Sequence, residues 1–419
     1  MILLRTAVVI FSIAAALGAA APLSAQDEHW VTTWAASPSR YVTTAPTISV
    51  KALTSPPAEQ TIRNIVHVSL GGEKVRIRLS NALNSEPLVV PAVYVGVRAK
   101  DDAIDPVSNH AVTFSGSRSI TIPAGADVLS DPIPIHFSAG DDLAVSLFSR
   151  GRTGTGTLHP LALQTSYAAA GNQAASVSLT APEKIVSWPF LSEVEVAAPS
   201  NVPAVVAFGD SITDGALSKL DTNTRWPDDL FARFKDAHLA IGIANEGIAG
   251  NRLLHDGEGA FGPAFGPSAL ARFDRDVLAL AGVRYIIVLL GINDIGQPGT
   301  PSAGADGIVS AEEIEGALRQ IVERAHVHGI RVMGATLLPF GGAKTPGYFS
   351  EEKEKKRAAV NQWIRTAGNF DAVADFDAAT RNPEHPLQMQ KESDGGDGLH
   401  PSVAGMKAMA DSIPLDFFK

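Results

Sequence analysis

The hydrophobic rhythm of this chain changes at Pro199-Ser200-Asn201-Val202-Pro203, and that change constrains the fold more than any other feature. Upstream, residues 26 to about 195 carry short β-branched stretches separated by Gly, Pro, Asp and Ser. Thr61 to Leu70 is one such stretch. Gly71-Gly72-Glu73-Lys74 then reads as a turn, and Val75-Arg76-Ile77-Arg78-Leu79 alternates apolar and charged residues as a half-buried strand does. Ile120-Thr121-Ile122-Pro123, the run from Pro132 to Phe137 and Leu143 to Phe148 add further strands, and no long amphipathic helical pattern interrupts them. This half is expected to be an all-β sandwich, jelly-roll-like, spanning 26–198.

Downstream the pattern is different. Ala204 to Phe208, Tyr285 to Leu290 and Ile330 to Leu337 are continuous apolar runs, with a weaker one from Ala372 to Phe376. Strands buried on both faces of a parallel sheet read this way. Helical segments lie between the runs. Ser310-Ala311-Glu312-Glu313 is a capping box that opens a helix reaching about His328, where Gly329 is placed to end it. Ser350 opens another helix, to about Ala367, and Ser402 caps the last one. Residues 199–419 are therefore expected to form an α/β domain with a parallel sheet. A chain of 419 residues is long enough for two cores.

Residues 1–25 read as a signal peptide. Arg5 supplies the positive end, an apolar stretch runs from Ala7 to about Ala21, and Ala21-Pro22-Leu23-Ser24-Ala25 offers small residues for cleavage. The apolar core is short for a membrane span. The expectation is a secreted or periplasmic chain with no stable membrane insertion after cleavage. The formal net charge of -10 argues against nucleic acid as a partner, because phosphates would repel it. With no cysteine in the chain, thiol nucleophiles, thiolate metal sites and disulfides are all excluded.

Four short blocks in the second half carry residue types suited to chemistry. Phe208-Gly209-Asp210-Ser211-Ile212-Thr213-Asp214-Gly215 follows a buried strand directly. Ligands of doubly wound sheets sit beyond the carboxyl ends of strands, so Ser211 is either a nucleophile there or only the N-cap of a helix. Asn245-Glu246-Gly247-Ile248-Ala249-Gly250-Asn251 is a loop whose glycines allow a backbone N–H close to a substrate, or an ordinary glycine turn. Gly291-Ile292-Asn293-Asp294 follows the second apolar run, where the Asn293 amide can face a developing oxyanion or close an Asx turn. In Asp397-Gly398-Leu399-His400-Pro401, a carboxylate three residues before a histidine can fold back and orient it as a base. Asp394 is the weaker candidate for that role. His326, His328 and His385 read as surface histidines, and His326 and His328, two apart on a helix, do not share a face for a metal.

The order, spacing and strand-end placement of these blocks resemble the SGNH hydrolase family, also called GDSL-type esterases and lipases, over about residues 203 to 419. The resemblance implies a flavodoxin-like three-layer domain and a carboxylic-ester hydrolase. It implies Ser211 as nucleophile, His400 as base and Asp397 as its partner, with an oxyanion hole made by the N–H groups of Ser211 and Gly250 and the Asn293 amide. It requires no metal or cofactor. Ile212 stands where the family name has Leu, a conservative change. The opening His29-Trp30-Val31-Thr32-Thr33-Trp34 resembles secreted members with an extra β-domain.

The expected substrates are small-molecule or glycan esters, foremost short-chain acyl (acetyl) esters of carbohydrates. A lipase or lysophospholipase of the same fold is the nearest alternative, with a glycan-binding protein carrying an inactive hydrolase domain, or a glycosidase using Asp394 and Asp397, further off. Trp30 and Trp34 are read as packing the sandwich or the domain interface rather than stacking on sugars, and Arg76 and Arg78 as a solvated strand face.

Overall fold

A computed structural model describes residues 28–40, 59–150, 156–300, 303 and 307–419; the segment read as a signal peptide lies outside them. The N-terminal region is mainly β. One antiparallel sheet runs Glu28–Ala35, Leu191–Pro199, Gly72–Ser80 and Asp127–Leu129, with Ile133–Phe137 also paired to Gly72–Ser80. The other is built on Ser166–Ala170, Glu59–His67, Asp142–Arg150 and Leu88–Lys100. Val75, Ile77 and Val196 of the first sheet share one core with Ile62, Val95 and Leu147 of the second. The turn expected at Gly71 to Lys74 is shorter than the sequence implied. Gly72 already belongs to a strand, and the connection carries the chain from one sheet to the other instead of closing a hairpin.

The second region holds a five-stranded parallel sheet ordered Gly242–Gly247, Ala204–Gly209, Val283–Leu289, Arg331–Ala335, Ala372–Ala374. The chain passes from Ala204–Gly209 to Gly242–Gly247 on one side and then crosses to Val283–Leu289 on the other, so a crevice opens at the carboxyl end of Ala204–Gly209. The helix Ala311–Val327 starts at Ser310, whose hydroxyl accepts from Glu313 N–H at 3.2 Å while the Glu313 carboxylate accepts from Ser310 N–H at 2.7 Å. Its Ile314, Leu318, Ile321 and Ala325 recur at helical spacing and enter the core beside Ile286 and Val332 of the sheet.

The strand Gly242–Gly247 was not foreseen as a strand. It is the sheet's edge, and such an edge needs cover. The first domain supplies it: Ala36 bridges Asn245 in parallel and the Ile243 N–H donates to Ser69 Oγ at 2.8 Å, while the Thr32 N–H donates to Ala281 O, ahead of the inner strand, at 2.9 Å. A side chain at Gly242 would sit 2.0 Å from Thr32 O, so only glycine permits this approach. Arg76 and Arg78 do not form the expected solvated face. They pair at 2.5 and 2.6 Å with Glu195 and Glu193, whose carboxylates are fully buried, and Arg78 reaches Ala279 O across the domain boundary. Trp34 packs edge-on against Trp188 with ring centroids 5.0 Å apart, and the Arg76 guanidinium lies over Trp30 at 4.5 Å, so both rings are taken by the protein itself.

Candidate active site

Three blocks meet because their strands are neighbours. Ala204–Gly209 ends at Ser211, its edge neighbour Gly242–Gly247 leads to Gly250, and its inner neighbour Val283–Leu289 leads to Asn293. Ser211 is not the N-cap of the short helix Ser211–Asp214. Asp210 holds that position, with its carboxylate accepting from Ile212 N–H at 3.0 Å. The Ser211 hydroxyl is thereby released from capping.

That hydroxyl faces His400, 2.8 Å from Nε2, across 189 positions of sequence. On its other side the His400 Nδ1 lies 2.7 Å from Asp397 Oδ2. A carboxylate accepts, so Nδ1 carries the proton and Nε2 presents a lone pair to Ser211. The second oxygen of Asp397 accepts the N–H groups of Leu399 and His400 at 3.0 and 2.8 Å. Burial alone would raise the Asp397 carboxyl, but these bonds and the His400 ring hold it at about 2. Asp394 does not reach His400; it accepts from Gly396 and Gly398 N–H at 2.8 and 3.1 Å and shapes the turn. Asp210 moves the opposite way. Its burial outweighs the Ile212 N–H and nearby His400, and its carboxyl is pushed up to about 7.

Among the described residues, the backbone N–H groups of Ser211 and Gly250 find no acceptor in the protein. Gly250 has φ +77°, and a side chain there would meet the Phe265 ring at 2.3 Å. The Asn293 amide oxygen accepts from Tyr348 OH at 2.8 Å and Gln297 Nε2 at 3.1 Å, while its Nδ2 donates to Asn251 O at 3.0 Å. This network fixes the orientation of the amide and leaves one Nδ2 hydrogen for a ligand. There is no Asx turn. The loop itself is shorter than the sequence block implied, since Asn245, Glu246 and Gly247 are still strand.

Several supporting residues carry no signal in the linear sequence. The fully buried Arg272 donates to Gly209 O at 2.8 Å, Glu246 O at 2.9 Å and Asn251 Oδ1 at 2.9 Å, and so ties the first two blocks together. It also donates to Ser37 Oγ of the first domain at 2.7 Å and lies over Phe208 at 4.3 Å. Gln297 donates to Gly250 O at 2.8 Å, and Asp294 accepts from Leu253 and Leu254 N–H at 2.7 and 2.9 Å. His326 pairs with Asp371 on the surface, and His385 is exposed, so neither joins the site.

Residues 207–408 match the GDSL-like lipase/acylhydrolase family. No curated protein matches the chain. Solved structures that resemble it include the lipase/acylhydrolase from Enterococcus faecalis, at 19% identity and TM-score 0.39, covering 50% of this chain and 92% of that one. An acetylxylan esterase from Geobacillus stearothermophilus gives 21% identity and TM-score 0.37, covering 50% and 91%. A GDSL-like lipase from Bacteroides thetaiotaomicron gives 19% and 0.36, covering 50% and 84%.

Proposed function

We propose, from the premise that residues 207–408 belong to the GDSL-like lipase/acylhydrolase family and make this chain a carboxylic-ester hydrolase, that Ser211, His400 and Asp397 carry the reaction. The observation that carries the reading is the unbroken chain Ser211 Oγ, His400 Nε2, His400 Nδ1, Asp397 Oδ2. His400 takes the hydroxyl proton as Ser211 attacks the ester carbonyl. The oxyanion is held by the N–H groups of Ser211 and Gly250 and by the remaining Asn293 amide hydrogen. His400 then protonates the departing alcohol, and water, activated by the same imidazole, releases the acid. Ser211→Ala is expected to fold normally and to lose turnover of p-nitrophenyl acetate. Wild-type activity in that variant would sink the assignment.

The substrates we propose are short-chain acyl esters of carbohydrates, cleaved outside the cytoplasm after export through residues 1–25. A solvent-facing base supports a polar alcohol: the His400 and Asp397 side chains are 18% and 37% exposed. A second reading, longer acyl chains, draws support from Leu217, which is 50% exposed and packs against Gly395 on the histidine loop. Rates across p-nitrophenyl esters of increasing length, beside acetate release from acetylated oligosaccharides, separate the two.

A further inference from the structure

The first domain reaches behind the oxyanion loop with one buried imidazole. His159 lies on the strand Leu158–His159, tied by backbone bonds to Ser39 and paired with Trp188–Pro189. Its Nδ1 is 2.9 Å from Ser37 O, and its Nε2 is 3.0 Å from Asp214 Oδ1 of the catalytic domain. The two side chains are 3% and 2% exposed. A carbonyl and a carboxylate both accept, so Nδ1 donates to Ser37 O and Nε2 to Asp214 Oδ1, and the ring is held as an imidazolium by hydrogen bonds at both ends. The other Asp214 oxygen accepts the Ala249 N–H at 2.8 Å. Ala249 immediately precedes Gly250, whose own N–H has no acceptor among the described residues.

We infer that His159 is a positioning residue, through which the β-domain fixes the oxyanion loop by way of Asp214 and Ala249. The inference rests on the serine-esterase reading above. The surroundings make the arrangement rigid. The Trp188 ring packs on His159 with centroids 5.4 Å apart, and Arg225, lying 5.7 Å over Trp188, donates to Asp214 O at 3.1 Å and also to Ala162 O of the first domain. Burial opposes a charge on His159, yet the Asp214 carboxylate and the Ser37 carbonyl keep its pKa above the ordinary value. The first domain is on this account part of the catalytic apparatus, although none of its described residues is hydrogen-bonded to the side chains of Ser211, His400 or Asp397.

The test is His159→Gln in the full chain, with active sites counted by a p-nitrophenyl phosphonate. Expected is a fall of about tenfold or more in kcat per titrated site, KM within about twofold, and an equal loss of affinity for a trifluoromethyl ketone that forms a tetrahedral adduct. A purely structural role would lower the number of titratable sites and leave kcat per site intact; that result overturns the inference. So does a fall in kcat with inhibitor affinity unchanged. If His159→Gln yields no titratable sites, Asp214→Asn reads the same link from its other end, with the same two criteria. Failure of the esterase reading itself would show separately, as turnover surviving in Ser211→Ala.

Discussion

The two arms of the proposed catalytic site, a base arm and an oxyanion arm, are built differently. The base arm, Asp397 and His400, comes from one loop. Its members are three positions apart and bonded to each other through both backbone and side chain, and the loop faces solvent. The oxyanion arm takes Ser211, Gly250 and Asn293 from the ends of three strands. Its supports are Arg272, Tyr348 and Gln297 from elsewhere in the catalytic domain, with Ser37 and His159 from the other domain. Local geometry orients the base arm, and the loop takes one backbone bond from a distant segment, Lys344 N–H to Asp397 O at 2.9 Å. The oxyanion arm depends on the packing of the whole molecule, as fixed donors aimed at developing charge must.

The sharpest way to break this comparison is at Asp397. Asp397→Asn keeps an oxygen for the Leu399 and His400 N–H groups, so the loop should hold its shape. The amide N–H, however, would face Nδ1 and drive the proton to Nε2, the wrong tautomer for a base. A comparable change in serine proteases costs roughly 10^4-fold in kcat. A loss of that order is expected in steady-state kinetics, with the melting temperature lowered by a few degrees at most, since the amide cannot supply the ionised carboxylate's contribution to the fold. A large loss of stability instead would mean that local geometry does not orient the loop.

Next in size is Asn293→Ala, expected to lower kcat by about 100- to 1000-fold with KM little changed. Unlike the change at Asp397, it should also cost stability, on the order of 1–3 kcal/mol, because Tyr348 OH and Gln297 lose a buried acceptor. Kinetics and a denaturant titration on the same preparation test both halves. If kcat fell with no change in stability, the contrast between a locally oriented arm and a packed one would not stand.

The same contrast explains what was legible in the sequence. The Asp397 to His400 spacing, the Gly-Asp-Ser block and the buried runs from Ala204 and Tyr285 are local patterns, and each landed where its rhythm placed it. The edge strand Gly242–Gly247 escaped because Gly242-Ile243-Ala244-Asn245-Glu246-Gly247 lacks a β-branched run and gains its order from cover by the first domain. Arg76 and Arg78 were misread because alternation reports which face a residue points to, and nothing about the buried Glu193 and Glu195 on the neighbouring strand. Arg272, Tyr348 and His159 belong to the same class. The partners through which they hold the site lie 21 or more positions away, beyond any local pattern.

The smallest expected effect distinguishes the two carboxylates that flank the reacting groups. Asp397, held at about 2, favours the folded state when ionised. Its contribution is fully present above about pH 4 and is lost as pH falls through 2. Asp210, pushed up to about 7, favours the folded state when neutral. Its contribution is fully present below about pH 4 and is lost as pH rises through 7, because the unfolded chain releases that proton first. Asp210→Asn imitates the neutral acid: the amide oxygen can still accept from Ile212 N–H, and no charge forms at any pH. The melting temperature of Asp210→Asn relative to the parent chain should therefore rise steadily from pH 4 to pH 7, by a few degrees at most. A difference that stays flat across that interval would mean the buried carboxyl ionises at its ordinary pH, so that burial at the mouth of the serine strand does not set its charge.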